Sequence, residues 1–448
     1  MKFSIHLLCA LTTVSLCAQT FSLLPLGHSP GGFSYRLQGE SSHVYVIESS
    51  NDLSRWQPLV MKSPALASLD LLDGGATSLG ARFYRAREAT MCPAGAALAD
   101  LRQQWSRNMS TTTGPVRLTV APFDPASIVT LLPLGLVVNT HVFPRAHTTY
   151  RGVTTNSNPA AYQVRAAAAG FIVTVENRNK TTSKFKVIVE HSGTFYTFYD
   201  LLDVLDPALI AAVPQFGNIG TTVSRLPITA GQVLGTLSGL HGAELGVVDL
   251  EVTLPGLFMP EHYESEPWQI HTVDPFDYFD EPVRSQIMAK NPRTASPRGG
   301  KTDYDVDGRL VGNWFLEGTC GYRGALPPAL PPALPTAAGH LAFVPHYIET
   351  SSSIISIGNY AGAQGTFGIV GNAPDPATIS EASGVVKFEL RFVISPTSAT
   401  PFAGGSFPVQ GTVLAQVLPN RRLKFEAFPG VTAAQVTGFT TNAKIYER

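Results

Sequence analysis

Apolar residues in this chain mostly alternate with polar ones, in short runs separated by turn-forming residues. Residues 35–38, 44–48, 56–60 and 82–85 carry the period-two pattern of half-buried strands. Ser49-Ser50-Asn51-Asp52 and Asp73-Gly74-Gly75 supply the turns between them. A second group of apolar runs covers 164–166, 170–172, 187–191, 196–202, 230–235 and 247–252. A third group follows residue 301, with its best strands at 341–344, 354–357, 385–392, 411–417 and 423–428. Helical spacing is rare. Leu98, Leu101 and Trp105 share one face of a helix expected within 92–109, and 283–290 predicts a short closing helix. The pattern predicts a mainly β protein in three parts: a small β-sandwich module at 19–88, a central β-domain at 114–290 and a C-terminal β-rich domain at 291–448. A linker with one helix, 89–113, joins the first two.

Composition agrees. The 448 residues include 40 Gly and 34 Pro but only 15% charged residues, which favours many turns and short strands. At a formal net charge of -1 the chain has no field to recruit nucleic acid, and no basic cluster is interleaved with aromatics. The tract 325–335 repeats Ala-Leu-Pro-Pro, which excludes helix and favours extended polyproline II, either as an exposed loop or as a ligand for a partner. Lys2 followed by an apolar run over 5–16 predicts an export signal at 1–18, too short to span a bilayer. No later segment is long enough for a transmembrane helix, so an extracytoplasmic location is expected. With Cys9 and Cys17 in the signal, Cys92 and Cys320 remain. In an oxidising compartment they are candidates for a disulfide, the alternative being two buried thiols.

The central runs have an order that resembles a known family. Val164-Arg165-Ala166 leads to Gly170-Phe171-Ile172, then Val187-Ile188-Val189-Glu190-His191, then Tyr199-Asp200-Leu201-Leu202, Gly231-Gln232-Val233-Leu234-Gly235 and Val247-Val248-Asp249-Leu250-Glu251. This succession resembles the lysostaphin-type zinc endopeptidases, which cut peptidoglycan cross-links and read V-x-A-x-x-x-G-x-V, V-x-I-x-H, Y-x-H-L, G-x-x-I-G and H-L-H-F-E. The resemblance implies a β-sheet and barrel-like central fold of the duplicated hybrid motif kind. It also implies zinc held by H-x-x-x-D and by the second His of H-x-H. Here the H-x-H slot reads Val247-Val248-Asp249, and Leu201 stands where a catalytic His is expected. His141 and His147 are each followed four residues later by Arg, at Arg145 and Arg151, where the motif needs Asp. A cation in a carboxylate position opposes metal binding.

Two further resemblances are shorter. The pattern Y-x-I-E-S-S-x-D-L-x-x-W in the first unit resembles a small β-sandwich module of secreted bacterial proteins, which implies an accessory role. The segments H-x-x-P-x-x-H at 141–147, D-P-F-D-Y-F at 274–279 and P-R-G-G-K-x-D-Y-D-x-D-G from 297 resemble a set of degenerate lysostaphin-like extracellular proteins. That set carries no activity to transfer.

Two ion sites are open on chemical grounds. His141, His147 and Asp249 would make a two-His, one-carboxylate zinc set. Asp303, Asp305 and Asp307 with Gly308 begin a calcium loop, yet the twelfth position is Trp314 where a bidentate Glu is required. The alternative there is an acidic turn. No other nucleophile or nucleotide motif occurs. The expectation is an exported, non-catalytic protein needing no cofactor. It would bind cell-wall or extracellular glycan or peptide material, or scaffold an envelope protein. The alternative is a divergent zinc metallopeptidase acting on peptidoglycan or peptides.

Overall fold

The structure is a computed structural model, and it describes residues 21–41, 43–62, 67–78, 81–90, 105, 110–137, 141–153, 155–179, 184–239, 242–324, 336–392 and 408–448. The expected export signal, Cys92, most of the linker helix and the Ala-Leu-Pro-Pro tract lie outside the described residues. The architecture is mainly β, as the alternation of apolar positions predicts.

Six strands come first: β1 (Ser22–Ser29), β2 (Gly32–Gln38), β3 (Tyr45–Ser50), β4 (Gln57–Lys62), β5 (Ser68–Asp73) and β6 (Phe83–Glu88). They form two antiparallel sheets, in the orders β1-β2-β5 and β4-β3-β6. Phe33, Tyr35 and Leu37 of one sheet meet Tyr45 and Ile47 of the other, which makes the expected sandwich. Strands β1 and β5 were not legible in the pattern. Pro25 and Gly27 interrupt β1 at a bulge, and β5 runs straight into the Asp73-Gly74-Gly75 turn.

The central strands are β7 (Thr130–Leu132), β8 (Thr148–Arg151), β9 (Tyr162–Arg165), β10 (Gly170–Asn177), β11 (Phe185–Ser192), β12 (Phe195–Leu202), β13 (Val204–Leu205), β14 (Gly220–Ile228), β15 (Val233–Leu237) and β16 (Ala243–Asp249). Seven of them build one sheet in the order β14-β10-β11-β12-β16-β8-β7, and β13-β15-β9 form a smaller sheet. The largest core lies between these sheets. Val187, Val189, Phe195, Tyr199, Leu245 and Val247 project into it from alternate positions of β11, β12 and β16. Helix α1 (Pro207–Ala212) is capped by Asp206, and α2 (Val283–Met288) is the predicted closing helix.

The last strands are β17 (Gly312–Leu316), β18 (His340–Pro345), β19 (Ser353–Tyr360), β20 (Ala363–Ile369), β21 (Val386–Phe392), β22 (Gly411–Leu418), β23 (Arg422–Pro429) and β24 (Lys444–Glu447). They close into a barrel, β24 pairing with β17. Closure leaves no exposed edge. Its interior is filled by Trp314, Leu341, Phe343, Ile355, Phe388, Val413 and Phe425. Among the described residues no helix is long and apolar enough to cross a membrane.

Candidate functional site

Because side chains alternate along a strand, the seven-stranded sheet has a second face opposite its main core. Val173, Ile188, Tyr196, Phe198 and Val248 project from it. This face is covered. Trp105, helical and buried, meets Tyr196 and Phe198 edge-on and stacks on Trp268 with ring centroids 6.5 Å apart. Trp268 itself meets Phe198 edge-on at 5.0 Å, and the Lys186 ammonium sits over Phe198 at 4.5 Å and Trp268 at 5.3 Å. Aromatic contacts of this kind add about 0.5–1.5 kcal/mol each beyond area burial.

A polar cluster adjoins this aromatic cover. His147 precedes β8, and Glu244 lies on β16 in register with Thr149 of β8. His147 Nε2 is 3.1 Å from Glu244 Oε2, off the line of a straight hydrogen bond. Arg145 Nη1 is 3.4 Å from the other oxygen, Oε1. The His141 ring stands edge-on to His147 with centroids 6.0 Å apart. Burial alone would raise the Glu244 carboxyl, but His147 and Arg145 hold it down at about 2. Burial, with Arg145 and His147 adding to it, pushes His141 down to about 3, so its imidazole is neutral.

Asp249 is elsewhere. Five residues along β16 from Glu244, it is about 17 Å away at strand rise and on the opposite face. It accepts from the Tyr278 hydroxyl at 3.1 Å and from the Glu251 amide at 3.0 Å. The structure therefore brings His141 and His147 together but supplies Glu244, not Asp249, as their carboxylate. Glu244 lies three residues before the Val247 at which the H-x-H slot begins. Its signal was the period-two set Ala243, Leu245 and Val247, which places Glu244 on the other face.

Nor do Asp303, Asp305 and Asp307 converge. Asp303 accepts from the Gly256 amide at 3.0 Å and lies 3.6 Å from Lys301 Nζ. Asp305, fully inside, accepts from the Asn313 amide at 2.7 Å and the Phe258 amide at 3.1 Å, with Arg448 3.6 Å away. Asp307 accepts from Arg421 Nε at 3.1 Å. Each carboxylate serves its own donors. Cys320 is disulfide-bonded, and Cys92 lies outside the described residues.

The residues present can be weighed against the zinc that the family resemblance implies. Two imidazoles and Glu244 have suitable donor chemistry. The Arg145 guanidinium, however, already shares that carboxylate, and a fixed cation there opposes a divalent ion. Among the described residues no three His, Cys, Asp or Glu side chains are grouped so as to hold a metal. The set does not fit.

The motif segments 274–279 and 297–303 meet elsewhere, around a cavity of about 910 Å³ lined by Asp274, Tyr278, Arg284, Lys301 and Thr302. Burial, with Asp277 nearby, raises the Asp274 carboxyl to about 6 against hydrogen bonds from the Phe276 and Gly299 amides.

Comparison with known proteins adds little. No protein-family model and no curated protein matches the chain. Among solved structures, a peptidase M23 candidate from Pseudomonas aeruginosa is 14% identical. The alignment covers 53% of this chain and 92% of that one, with a TM-score of 0.22. The solution structure of lysostaphin is 10% identical over 68% of this chain and 80% of its own, with a TM-score of 0.18. Superpositions this loose carry no argument about fold or function.

Proposed function

We propose that this chain is an exported, non-catalytic protein that binds cell-envelope or extracellular glycan or peptide material, or scaffolds an envelope partner. In this reading its central domain keeps a peptidase-like sheet whose catalytic groove has been filled. One observation carries the reading. The sheet face beside His141 and His147 has Arg145 paired with Glu244, and Trp105 and Trp268 cover its apolar half. The function needs no cofactor. A pull-down with purified peptidoglycan sacculi tests the binding half: retention of the full chain, with no release of soluble fragments, is expected. Release of fragments that a chelator abolishes would replace this reading with catalysis.

A second reading draws on the same cluster. A divergent zinc peptidase would use His141, His147 and Glu244, with the Arg145 side chain moved away from the carboxylate. Its signature would be zinc bound in the purified protein.

A further inference from the structure

Several polar atoms near Arg145 are buried without a partner. Arg145 Nε, Thr149 Oγ1, Arg151 Nε and the Tyr347 hydroxyl make no hydrogen bond. Such atoms are costly to bury, so four in one neighbourhood require an explanation.

The backbone shows that they belong to one neighbourhood. Thr149 and Arg151 are alternate residues of β8 and so project from the same face, the face of Glu244. Thr149 is in register with Leu132 of β7, and Arg151 with Thr130. Tyr347, only 2% exposed, packs against Leu132 and Leu136. The Arg145 amide donates to the Leu136 carbonyl at 3.0 Å, which brings its backbone to the same place. The Tyr347 phenol lies in the field of both arginines, and each guanidinium feels the other's charge.

Charge does not balance there. Glu244 is the carboxylate in contact, and it is shared between Arg145 and His147. Among the described residues no carboxylate pairs with Arg151. His141 is neutral, so two guanidinium groups face one carboxylate. The unused groups are three N–H or O–H donors, on Arg145, Arg151 and Tyr347, and a Thr hydroxyl that can donate as well. Planar guanidinium groups select carboxylate and phosphate oxygens, and a phenol or hydroxyl completes such a shell.

We propose that Arg145, Arg151, Tyr347 and Thr149 form a binding site for a small oxyanion, a carboxylate or a phosphate group. The inference rests on the non-catalytic reading and deepens it: the arginine that excludes a cation from the sheet face recruits an anion to it.

The test is calorimetric titration of the full chain with inorganic phosphate and, separately, with acetate, at constant ionic strength set by chloride. Saturable binding of one of them is expected, and the stronger one identifies the source. Arg151→Met should weaken it about tenfold or more, since hydrogen bonds to a charged group contribute about 1.5–3 kcal/mol. Tyr347→Phe, which keeps the packing on Leu132 and Leu136, should weaken it about threefold or more. Without anion, the melting temperature of Arg151→Met should equal or exceed the wild type, because one of two like charges is gone. No saturable binding of either anion, or binding unchanged in both variants, overturns the site. The two proposals fail separately: zinc in the purified protein sinks the non-catalytic reading, and absent anion binding in zinc-free protein sinks only this site.

Discussion

Replacing Glu48 by Gln should destabilise the protein by about 3 kcal/mol, through loss of contacts that tie the three β units together. Glu48, on β3, has no exposed surface and meets Arg85 Nε at 2.6 Å, Arg421 Nη1 at 3.1 Å and Arg87 Nε at 3.4 Å. Arg421 belongs to the β22–β23 turn of the barrel and also holds Asp307 at 3.1 Å. Arg87 reaches on to Glu261 in the central part of the chain. At about 3 Å and an effective dielectric constant near 20, each contact is a gross attraction of roughly 5 kcal/mol, most of it offset by desolvation. Removing one partner of a buried pair costs about 3–5 kcal/mol. The lower end applies here, because Arg421 keeps Asp307 and Arg87 keeps Glu261.

Exposure decides how the loss divides. The Arg421 side chain is 16% exposed and that of Arg85 is 44% exposed, so solvent screens the second pair far more. In urea denaturation at pH 7, a double-mutant cycle of Glu48→Gln with Arg421→Met should give a coupling of about 1–3 kcal/mol. The cycle with Arg85→Met should give less than about 1 kcal/mol. Burial alone would raise the Glu48 carboxyl, but Arg421, Arg85 and Arg87 outweigh it and hold it below its usual value. The contribution is therefore present above the unfolded carboxyl's pKa and is lost as pH falls through the lower, folded one. Wild type and variant should converge at acid pH. Coupling to Arg421 no larger than coupling to Arg85 would refute the reasoning.

Other perturbations have equally definite outcomes. Asp274, raised to about 6 by burial, favours the folded state only when protonated, so Asp274→Asn should stabilise by up to roughly 3 kcal/mol at pH 8 and hardly at all below pH 4, read from melting curves. Asp249→Ala strands the Tyr278 hydroxyl and the Glu251 amide and should cost about 1–3 kcal/mol in urea denaturation. In Gly246→Ala the new Cβ would sit 2.0 Å from the Phe198 ring, a clash expected to cost about 1–3 kcal/mol or more and to disturb the aromatic cover, visible in near-UV circular dichroism. Burial pushes His271, His340 and His346 down to about 4, so the unfolded chain binds more protons than the folded one between that value and their usual 6.5. Stability should fall as pH drops through this window, and a flat profile there would contradict their burial.

How much the sequence revealed depended on how local each signal was. The strands β10, β11 and β12 were legible because apolar runs such as Val187-Ile188-Val189 fall within a single segment. Three barrel strands, β17, β20 and β24, were not. Strand β20 reads Ala-Gln-Gly-Thr-Phe-Gly-Ile and β24 Lys-Ile-Tyr-Glu, each too poor in apolar residues to stand out, and pairing around the closed barrel stabilises them. Asp249 and Glu244 show the limit of slot matching. A shift of five positions along β16 changes both the location and the face of the side chain, so the carboxylate nearest the histidines depends on register. Asp303, Asp305 and Asp307 looked like ligands of one ion because alternate acids are the local signal of a calcium loop. Their partners, Gly256, Phe258, Arg421 and Arg448, are distant in the chain and could not be read from it. Trp105 showed helical spacing, but its stacking on Trp268 depends on the tertiary fold.

In the proposed function, Arg145 and the aromatic cover stand in place of a metal centre on the sheet face beside His141 and His147. Elemental analysis by mass spectrometry, on full-length protein purified without a histidine tag, tests it most directly. Zinc well below one ion per chain, unchanged in His141→Ala, is expected. About one zinc per chain, lost in His141→Ala, would contradict it.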